Sequence, residues 1–434
     1  MSRGIRDNND VPVITKDLVN GLFLSKGYMS GSVTRLERYQ QCPFKFYAQY
    51  GLKLEPRRVR SFGAPEIGTF LHANLERLGN YLLENNKQWR DLNEEEQQNL
   101  CRSVADEILQ ENQAGEETSD AYQKAIEQRV QRTLHVTVDR LVEWSKRSDF
   151  DTKYLEQDFG RQGGWNPIRV PLGENRYLRL IGQIDRIDEY TRDGQTYGMV
   201  IDYKSGGAHV TAQDVYYGLK LQLMTYLLAL ESAYGKAEGK SMSPAAVIYS
   251  YVKNPKIPAG TPISYEDAVS LAKESNAWQN SGYFSDDIEL LTHIDNKFLS
   301  YGAKQGPYVP IATKKDQTIS SRDLRKVKNP GEFDVLCRYT NHVMAETGRN
   351  IGDGQFPIKP YQLNGFRPCT YCDYHTICRF DSSRNKYNYL SGLSEDDALE
   401  RMKEVLNDGN NSNDRNDRNE GGCLLYTSDA ADEE

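Results

Sequence analysis

The 434-residue sequence contains no apolar segment of the kind that crosses a bilayer. No stretch approaches the roughly 18–20 uncharged apolar residues that a membrane-spanning helix needs. The N-terminus, MSRGIRDNNDVPVIT, also lacks the apolar core of a secretory signal peptide. We therefore expect a cytoplasmic protein with no membrane partner.

An excess of positive charge, the usual sign of a nucleic-acid-binding protein, is missing as well, since the net charge is −8. Most of this charge lies in the last 28 residues, where eight acidic residues face two arginines. The rest of the chain is close to neutral and contains a basic run at Arg57, Arg58 and Arg60. This run fits a solvated surface as well as a phosphate-binding one, so the charge leaves a DNA partner open.

The middle of the chain has the alternating pattern of an α/β fold. Three segments indicate strands: KYLEQDFG, RYLRLIGQIDRIDEY and YGMVIDYKS. An apolar segment, DVYYGLKLQLMTYLLALESAY, predicts one helix of about 20 residues, and AAVIYSYV predicts a further strand. Upstream, Ser32 and Thr34 with Glu37 resemble a capping box that opens a short helix. The order of elements predicts a mixed β-sheet flanked by helices.

The second and third predicted strands bring two acids and a lysine together. Alternate residues of a strand point to the same side, so Asp202 and Lys204 project together, and a hairpin places Asp185 opposite Asp202. Two carboxylates suit Mg²⁺ or Mn²⁺, and a lysine can stabilise negative charge or act as a base. An Asp-x-Lys sequence alone fits a pair of strand-end salt bridges equally well.

Two predicted helices carry polar side chains that can reach this site. Gln222 and Tyr226 are four residues apart and therefore share one face of the helix that follows the third strand. His72 lies on an amphipathic helix, where a single histidine is most often structural. Glu156, on the first predicted strand, is either an accessory carboxylate or a structural residue.

The cysteines are clustered, which in a cytosolic protein indicates a metal site before a disulfide. Cys369, Cys372 and Cys378 supply three thiolates from one short segment. With His375 as the fourth ligand they would bind zinc, and with the distant Cys42 they would bind an iron–sulfur cluster.

These segments resemble the RecB-type branch of the PD-(D/E)xK nuclease superfamily. The matching segments are Gly68-Thr-Phe-Leu-His72, Gly182-Gln-Ile-Asp185-Arg, Ile201-Asp202-Tyr203-Lys204-Ser205 and Gln222-Leu-Met-Thr-Tyr226. The resemblance implies a PD-(D/E)xK (restriction-endonuclease-like) fold and a Mg²⁺-dependent (or Mn²⁺-dependent) deoxyribonuclease. It assigns the metal to His72, Asp185, Asp202 and the carbonyl of Tyr203, catalysis to Lys204, and strand or substrate positioning to Gln222 and Tyr226.

The cysteines resemble those of the AddB family, which forms one half of a bacterial ATP-dependent helicase–nuclease. In that family one N-terminal Cys-Pro-Phe and a C-terminal cysteine triplet form a 4Fe–4S staple. The resemblance implies that Cys42, Cys369, Cys372 and Cys378 hold a structural cluster. It also implies an exonuclease that resects DNA ends in double-strand break repair by homologous recombination, in a heterodimer with an AddA-type helicase–nuclease subunit.

Two other assignments share most of these motifs. A Cas4-like iron–sulfur exonuclease has the same site and the same cysteines, although the long segments 93–147 and 260–350 favour the AddB family. A DNA-binding structural subunit with an inactive nuclease site is the second alternative.

The expected organisation follows from this resemblance. Residues 1–30 are interpreted as a linker or upstream remainder, because the helicase-like region of the family is missing. Residues 31–390 are expected to form the iron–sulfur nuclease domain, with a core at about 154–255 and helical elaborations at 66–147 and 260–350. A terminal helix at 391–404 and a disordered, partly artefactual acidic tail at 405–434 are expected to follow.

Overall fold

The computed structural model describes residues 13–25, 27–55, 64–113, 120–235, 242–252 and 278–413, with a few isolated residues between them. The basic run at Arg57, Arg58 and Arg60 and the acidic tail from residue 414 lie outside the described residues. Within these ranges, no helix combines the length and the apolar character that crossing a membrane requires.

The strands are short and mostly lie between residues 151 and 285. In chain order they are β1 (Leu24–Ser25), β2 (Tyr28–Gly31), β3 (Asp151–Phe159), β4 (Ile168–Gly173), β5 (Arg176–Leu180), β6 (Gly182–Arg192), β7 (Gln195–Lys204), β8 (Met242–Tyr251), β9 (Ser281–Ser285), β10 (Val327–Lys328), β11 (Tyr361–Leu363) and β12 (Asn388–Leu390).

Helices precede, interrupt and follow these strands. They are α1 (Lys16–Phe23), α2 (Val33–Gln41), α3 (Pro43–Phe46), α4 (Ala64–Glu84), α5 (Glu94–Gln113), α6 (Asp120–Ser145), α7 (Ala212–Tyr216), α8 (Gln222–Gly235), α9 (Ile288–Ile294), α10 (Pro330–Gly352), α11 (His375–Cys378) and α12 (Glu395–Asn413). A π-helical turn, Tyr47–Gly51, continues α3. The terminal helix α12 thus extends beyond residue 404, where we expected it to end.

The central sheet of the described chain is mixed, with the strand order β10-β9-β8-β7-β6-β3. Strands β3, β6 and β7 are successive antiparallel neighbours, and β8 lies parallel to β7. A second sheet has the order β1-β2-β5-β4, and its β2 and β5 are parallel. The expected mixed sheet flanked by helices is confirmed, and the region 260–350 adds β9 and β10 to it.

The two faces of the central sheet pack against different helices. Met199, Ile201 and Tyr203 of β7 are buried in one apolar cluster with residues of α4, α5 and α6. Val200 is buried in another cluster with residues of α8 and α10. Because side chains alternate along a strand, Asp202 shares the face of Val200 and points toward α8.

The second predicted strand is in fact two strands in different sheets. Residues 176–192 divide at Ile181, with β5 in the second sheet and β6 in the central one. At the start of β6, a Cβ atom on Gly182 would lie 2.5 Å from the Phe159 ring, so the close approach of β3 requires glycine. Strand β4 escaped the sequence analysis altogether.

The predicted 20-residue helix is also divided, into α7 and α8. Gly218 has a φ of +67° between them, a left-handed conformation that ends the first helix. The expected capping box is wrong as well, because Ser32 precedes α2 without a side-chain cap. The carboxylate of Glu37 instead accepts hydrogen bonds from Leu221 and Gln222 at the start of α8.

Candidate functional site

The pairing of β6 with β7 places the two predicted acids next to each other. Arg186 pairs with Ile201, so Asp185 follows opposite Asp202. One carboxylate oxygen of Asp185 accepts a hydrogen bond of 2.6 Å from the amide of Tyr203. Both acids are buried, at 8% and 1% exposure. Burial raises the pKa of Asp185, and burial together with the charge of Asp185 raises the pKa of Asp202.

His72 reaches the same strand ends from α4. Its Nε2 lies 3.0 Å from the carbonyl oxygen of Tyr203, and its Nδ1 lies 3.4 Å from Asp185 Oδ2. Burial lowers the pKa of His72, but the nearby carboxylates of Glu156 and Asp185 outweigh burial and raise it. The geometry therefore brings together the histidine, one acid and the carbonyl that the sequence analysis named.

Glu156 completes this group, although the sequence left its role open. It lies between Leu155 and Gln157 of β3, which pair with Arg186 and Ile184, so it faces Asp185 across the strands. Its φ of +45° is unusual for a non-glycine residue and strains the backbone.

The ligand atoms of these residues are close enough to bind one ion. Among the described residues, His72, Glu156 and Asp185 form a group whose donor atoms all lie within 4.8 Å of one another. Two carboxylate oxygens and a nitrogen form a donor set that a hard divalent cation accepts.

Lys204 lies beside this group and is held by the residues predicted to accompany it. Its ammonium group forms an ion pair with Asp202 and donates a 3.1 Å hydrogen bond to Gln222 Oε1. The amide of Gln222 in turn donates to the Tyr226 hydroxyl at 2.8 Å. The predicted trio of Lys204, Gln222 and Tyr226 is thus a continuous hydrogen-bonded chain. Asp202 belongs to this chain rather than to the close group around His72.

An open cleft of about 600 Å³ gives solvent and ligands access to the site. His72, Glu156, Asp185 and Lys204 line it, together with the small residues that follow β7. Asp202 is buried beneath the cleft. A cation and an ammonium group facing one cleft can together neutralise a phosphate and orient water against it.

The four predicted cluster ligands also converge, at a different place. Cys42, Cys369, Cys372 and Cys378 line one small pocket with His375. Cys42 lies between α2 and α3, and the others lie in the turn Pro368–Tyr371, directly after it, and at the end of α11. Burial raises the pKa of Cys42 to about 12 and that of Cys369 to about 11.

A metal centre fits the donor chemistry of this pocket. Four thiols that face one another and form no disulfide suit an iron–sulfur cluster. His375 in the same lining leaves zinc as the alternative.

Comparison with known proteins agrees with the geometry of the cleft. A family model described as the PD-(D/E)XK nuclease superfamily matches residues 30–379, so the chain belongs to this superfamily. It is similar to curated proteins named as the B-type subunit of an ATP-dependent helicase/deoxyribonuclease. The protein of Clostridium perfringens (strain SM101 / Type A) is 33% identical over 412 residues, and that of Clostridioides difficile (strain 630) is 31% identical over 409. Each alignment covers 93% of this chain and 34% of the relative, so the chain spans about a third of the relatives' length.

Proposed function

We propose that this chain is the metal-dependent exonuclease domain of a helicase–nuclease subunit and that it degrades DNA ends during double-strand break repair. The observation that carries the proposal is the group of His72, Glu156 and Asp185 beside Lys204, facing one open cleft. The deoxyribonuclease in the relatives' name supports DNA as the substrate.

Mg²⁺, or Mn²⁺ in its place, is the proposed cofactor of the cleft. His72, Asp185 and the carbonyl of Tyr203 would hold it, with Glu156 as a further ligand and Asp202 within one strand pair of it. When bound, such a cation polarises the phosphate and lowers the pKa of a coordinated water. The Tyr203 amide keeps Asp185 oriented toward the cleft through its hydrogen bond.

The chain's own residues would complete the hydrolysis of the phosphodiester. Lys204 presents its ammonium group beside the cleft and would stabilise the charge that develops on the phosphate. Asp202 and Gln222 restrict the flexible lysine side chain from two sides. Tyr226 fixes the Gln222 amide, so that its oxygen and not its nitrogen faces Lys204.

A 4Fe–4S cluster is the proposed occupant of the cysteine pocket. Cys42 would join the residues 369–378 across more than 300 residues of chain, and closing so long a loop lowers the entropy of the unfolded state. The binding free energy of the cluster would thus contribute to folding. Iron content and an absorbance band near 400 nm in anaerobically purified protein test this assignment, and stoichiometric zinc without iron would refute it.

The partners we propose are DNA and an AddA-type helicase–nuclease subunit, acting in the cytoplasm where bacterial DNA lies. A Cas4-like exonuclease is the alternative activity, supported by the combination of the cleft with the four-cysteine pocket. Copurification with the AddA-type protein separates the two, because a Cas4-like protein would need no such partner to cleave.

The decisive experiment is a cleavage assay of linear DNA by the purified chain. We expect Mg²⁺ to support cleavage and EDTA to abolish it. Asp202→Ala and Lys204→Ala should remove the activity while the fold remains. Full activity in either variant would contradict the proposed site, and an inactive wild-type protein that still binds DNA would favour a structural role.

A further inference from the structure

Glu37 on α2 contacts the helix that carries Gln222. One carboxylate oxygen accepts hydrogen bonds from the amides of Leu221, at 2.7 Å, and Gln222, at 3.2 Å. Helix α8 begins at Gln222, so both donors belong to its first turn or lie just before it. A carboxylate at this position is favoured by the partial positive charge of a helix N-terminus.

The first residue of this helix is also the residue that holds Lys204. The Gln222 side chain accepts the hydrogen bond from the Lys204 ammonium group. The Lys204 side chain is 30% exposed, and a long lysine side chain loses much rotamer freedom when it is fixed in one place. The position of the Gln222 backbone therefore decides where Lys204 is held.

We propose that Glu37 is a positioning residue for Lys204, acting through the backbone of Gln222. The inference rests on the proposed nuclease function of the cleft. Glu37 touches neither the metal-binding group nor the open cleft, so its effect would be on geometry and not on the reacting atoms.

The origin of this contact sets it apart from the other helix caps. Helices α7, α9 and α10 receive caps from their own chain neighbours Thr211, Asp287 and Asn329. Glu37 instead comes from 184 residues away in the sequence. It is partly buried, and burial raises its pKa to about 7 against the opposing effect of the two amide donors. A local cap would avoid this desolvation.

The same helix α2 leads directly into the cysteine pocket. Cys42 follows the last residue of α2, five positions after Glu37. The contact of Glu37 with α8 therefore links the two sites through one short helix.

The test is a double-mutant cycle measured by single-turnover DNA cleavage with saturating Mg²⁺. Glu37→Ala should lower the cleavage rate about ten- to a hundredfold, since a displacement of about 1 Å costs as much in other enzymes. In a Gln222→Ala background, the same substitution should change the rate less than about twofold. The KM for DNA should be unchanged. Glu37→Gln retains an acceptor oxygen and should recover part of the rate.

Asp287→Ala is the matched control, because it removes a carboxylate cap from α9, outside the cleft. It should lower Tm without changing the cleavage rate. If Glu37→Ala behaves in the same way, or if its effect is fully additive with Gln222→Ala, the positioning role is refuted and the residue is only a helix cap.

A crystal structure of the Glu37→Ala protein gives a result that does not depend on activity. The Lys204–Gln222 hydrogen bond should be lost, and its retention at about 3.1 Å would overturn the inference. If the wild-type chain does not cleave DNA, the proposed function fails while this structure still decides the role of Glu37.

Discussion

The acidic cleft and the cysteine pocket are built in opposite ways. Three adjacent antiparallel strands carry Glu156, Asp185 and Lys204, and the ladder of backbone hydrogen bonds fixes their spacing. The cysteine pocket joins Cys42 to a segment of short turns and a four-residue helix. The cleft therefore has its geometry from the sheet, whereas the pocket has few regular backbone contacts of its own.

This difference separates chemistry from stability. A side chain of the cleft can be removed without disturbing the ladder that supports it. A cysteine of the pocket supplies a contact between distant segments, so its removal should weaken the fold itself. Four substitutions test this comparison.

Lys204→Ala should have the largest effect on the reaction. We expect the cleavage rate to fall by about 10²–10⁴-fold, the range of a lost charge-stabilising or proton-transferring group. The thermal unfolding midpoint should stay within a degree or two of the wild type, because Lys204 is partly exposed at the strand end. Single-turnover kinetics and calorimetry on the same sample measure both, and a large loss of stability would erase the contrast with the pocket.

Cys369→Ser should do the opposite. Loss of one proposed cluster ligand is expected to lower the free energy of unfolding by about 3 kcal/mol or more, with loss of bound iron. Denaturant unfolding and iron analysis provide the measurement. Cys101→Ala is the control, since Cys101 is buried outside the pocket and should leave the iron in place. Equal iron content in Cys369→Ser would rule out its role as a ligand.

Asp202→Asn should stabilise the fold in EDTA while abolishing cleavage. Asp202 is buried next to Asp185, and burial together with this neighbouring charge raises its pKa, so its ionised form is unfavourable. Removing the charge should add about 2 kcal/mol to the free energy of unfolding in EDTA at pH 8. Thermal unfolding with and without Mg²⁺ tests this, and a lower Tm in EDTA would show that the ion pair with Lys204 outweighs burial.

Glu231→Gln should have the smallest effect, and one confined to high pH. Burial, with a lesser effect from Asp334, raises the pKa of Glu231 on α8 to about 7. Because the folded pKa lies above the unfolded value of 4.5, stability is highest below pH 4.5 and falls as the pH rises toward 7. The variant should therefore be more stable by about 1 kcal/mol at pH 8 and nearly unchanged near pH 4.5.

Urea unfolding of both proteins across this pH range provides the measurement. Cleavage at pH 8 should be retained, because Glu231 lies on α8 but does not line the cleft. An equal effect at both pH values would exclude titration of Glu231 as the cause.

The parts of the cleft that follow from local periodicity could be predicted from the sequence. Asp202 and Lys204 share a strand face, and Gln222 and Tyr226 share a helix face, because two and 3.6 residues are fixed repeats. The two members of each pair are in contact, as this spacing predicts. The hairpin that brings Asp185 beside Asp202 follows from the same reasoning.

The remaining features depend on contacts that no local pattern contains. Glu156 faces the site because β3 pairs with β6 in one particular register and because its backbone adopts a positive φ. Ile181 separates two strands that continue a single alternating pattern, so the change of sheet leaves no mark in the sequence. The break before α8 depends on Glu37 from a distant helix.

The distance between Cys42 and its partners has a consequence for synthesis of the chain. A ribosome adds roughly 5–20 residues per second, so Cys369 follows Cys42 after a delay on the order of 15–65 s. Strand β2 waits nearly as long as half this interval for β5, its parallel neighbour. The nascent N-terminal segment therefore leaves the ribosome with an unpaired strand and an unliganded thiol. Its protection until the C-terminal turns emerge is a task for chaperones and for the reducing conditions around the nascent chain.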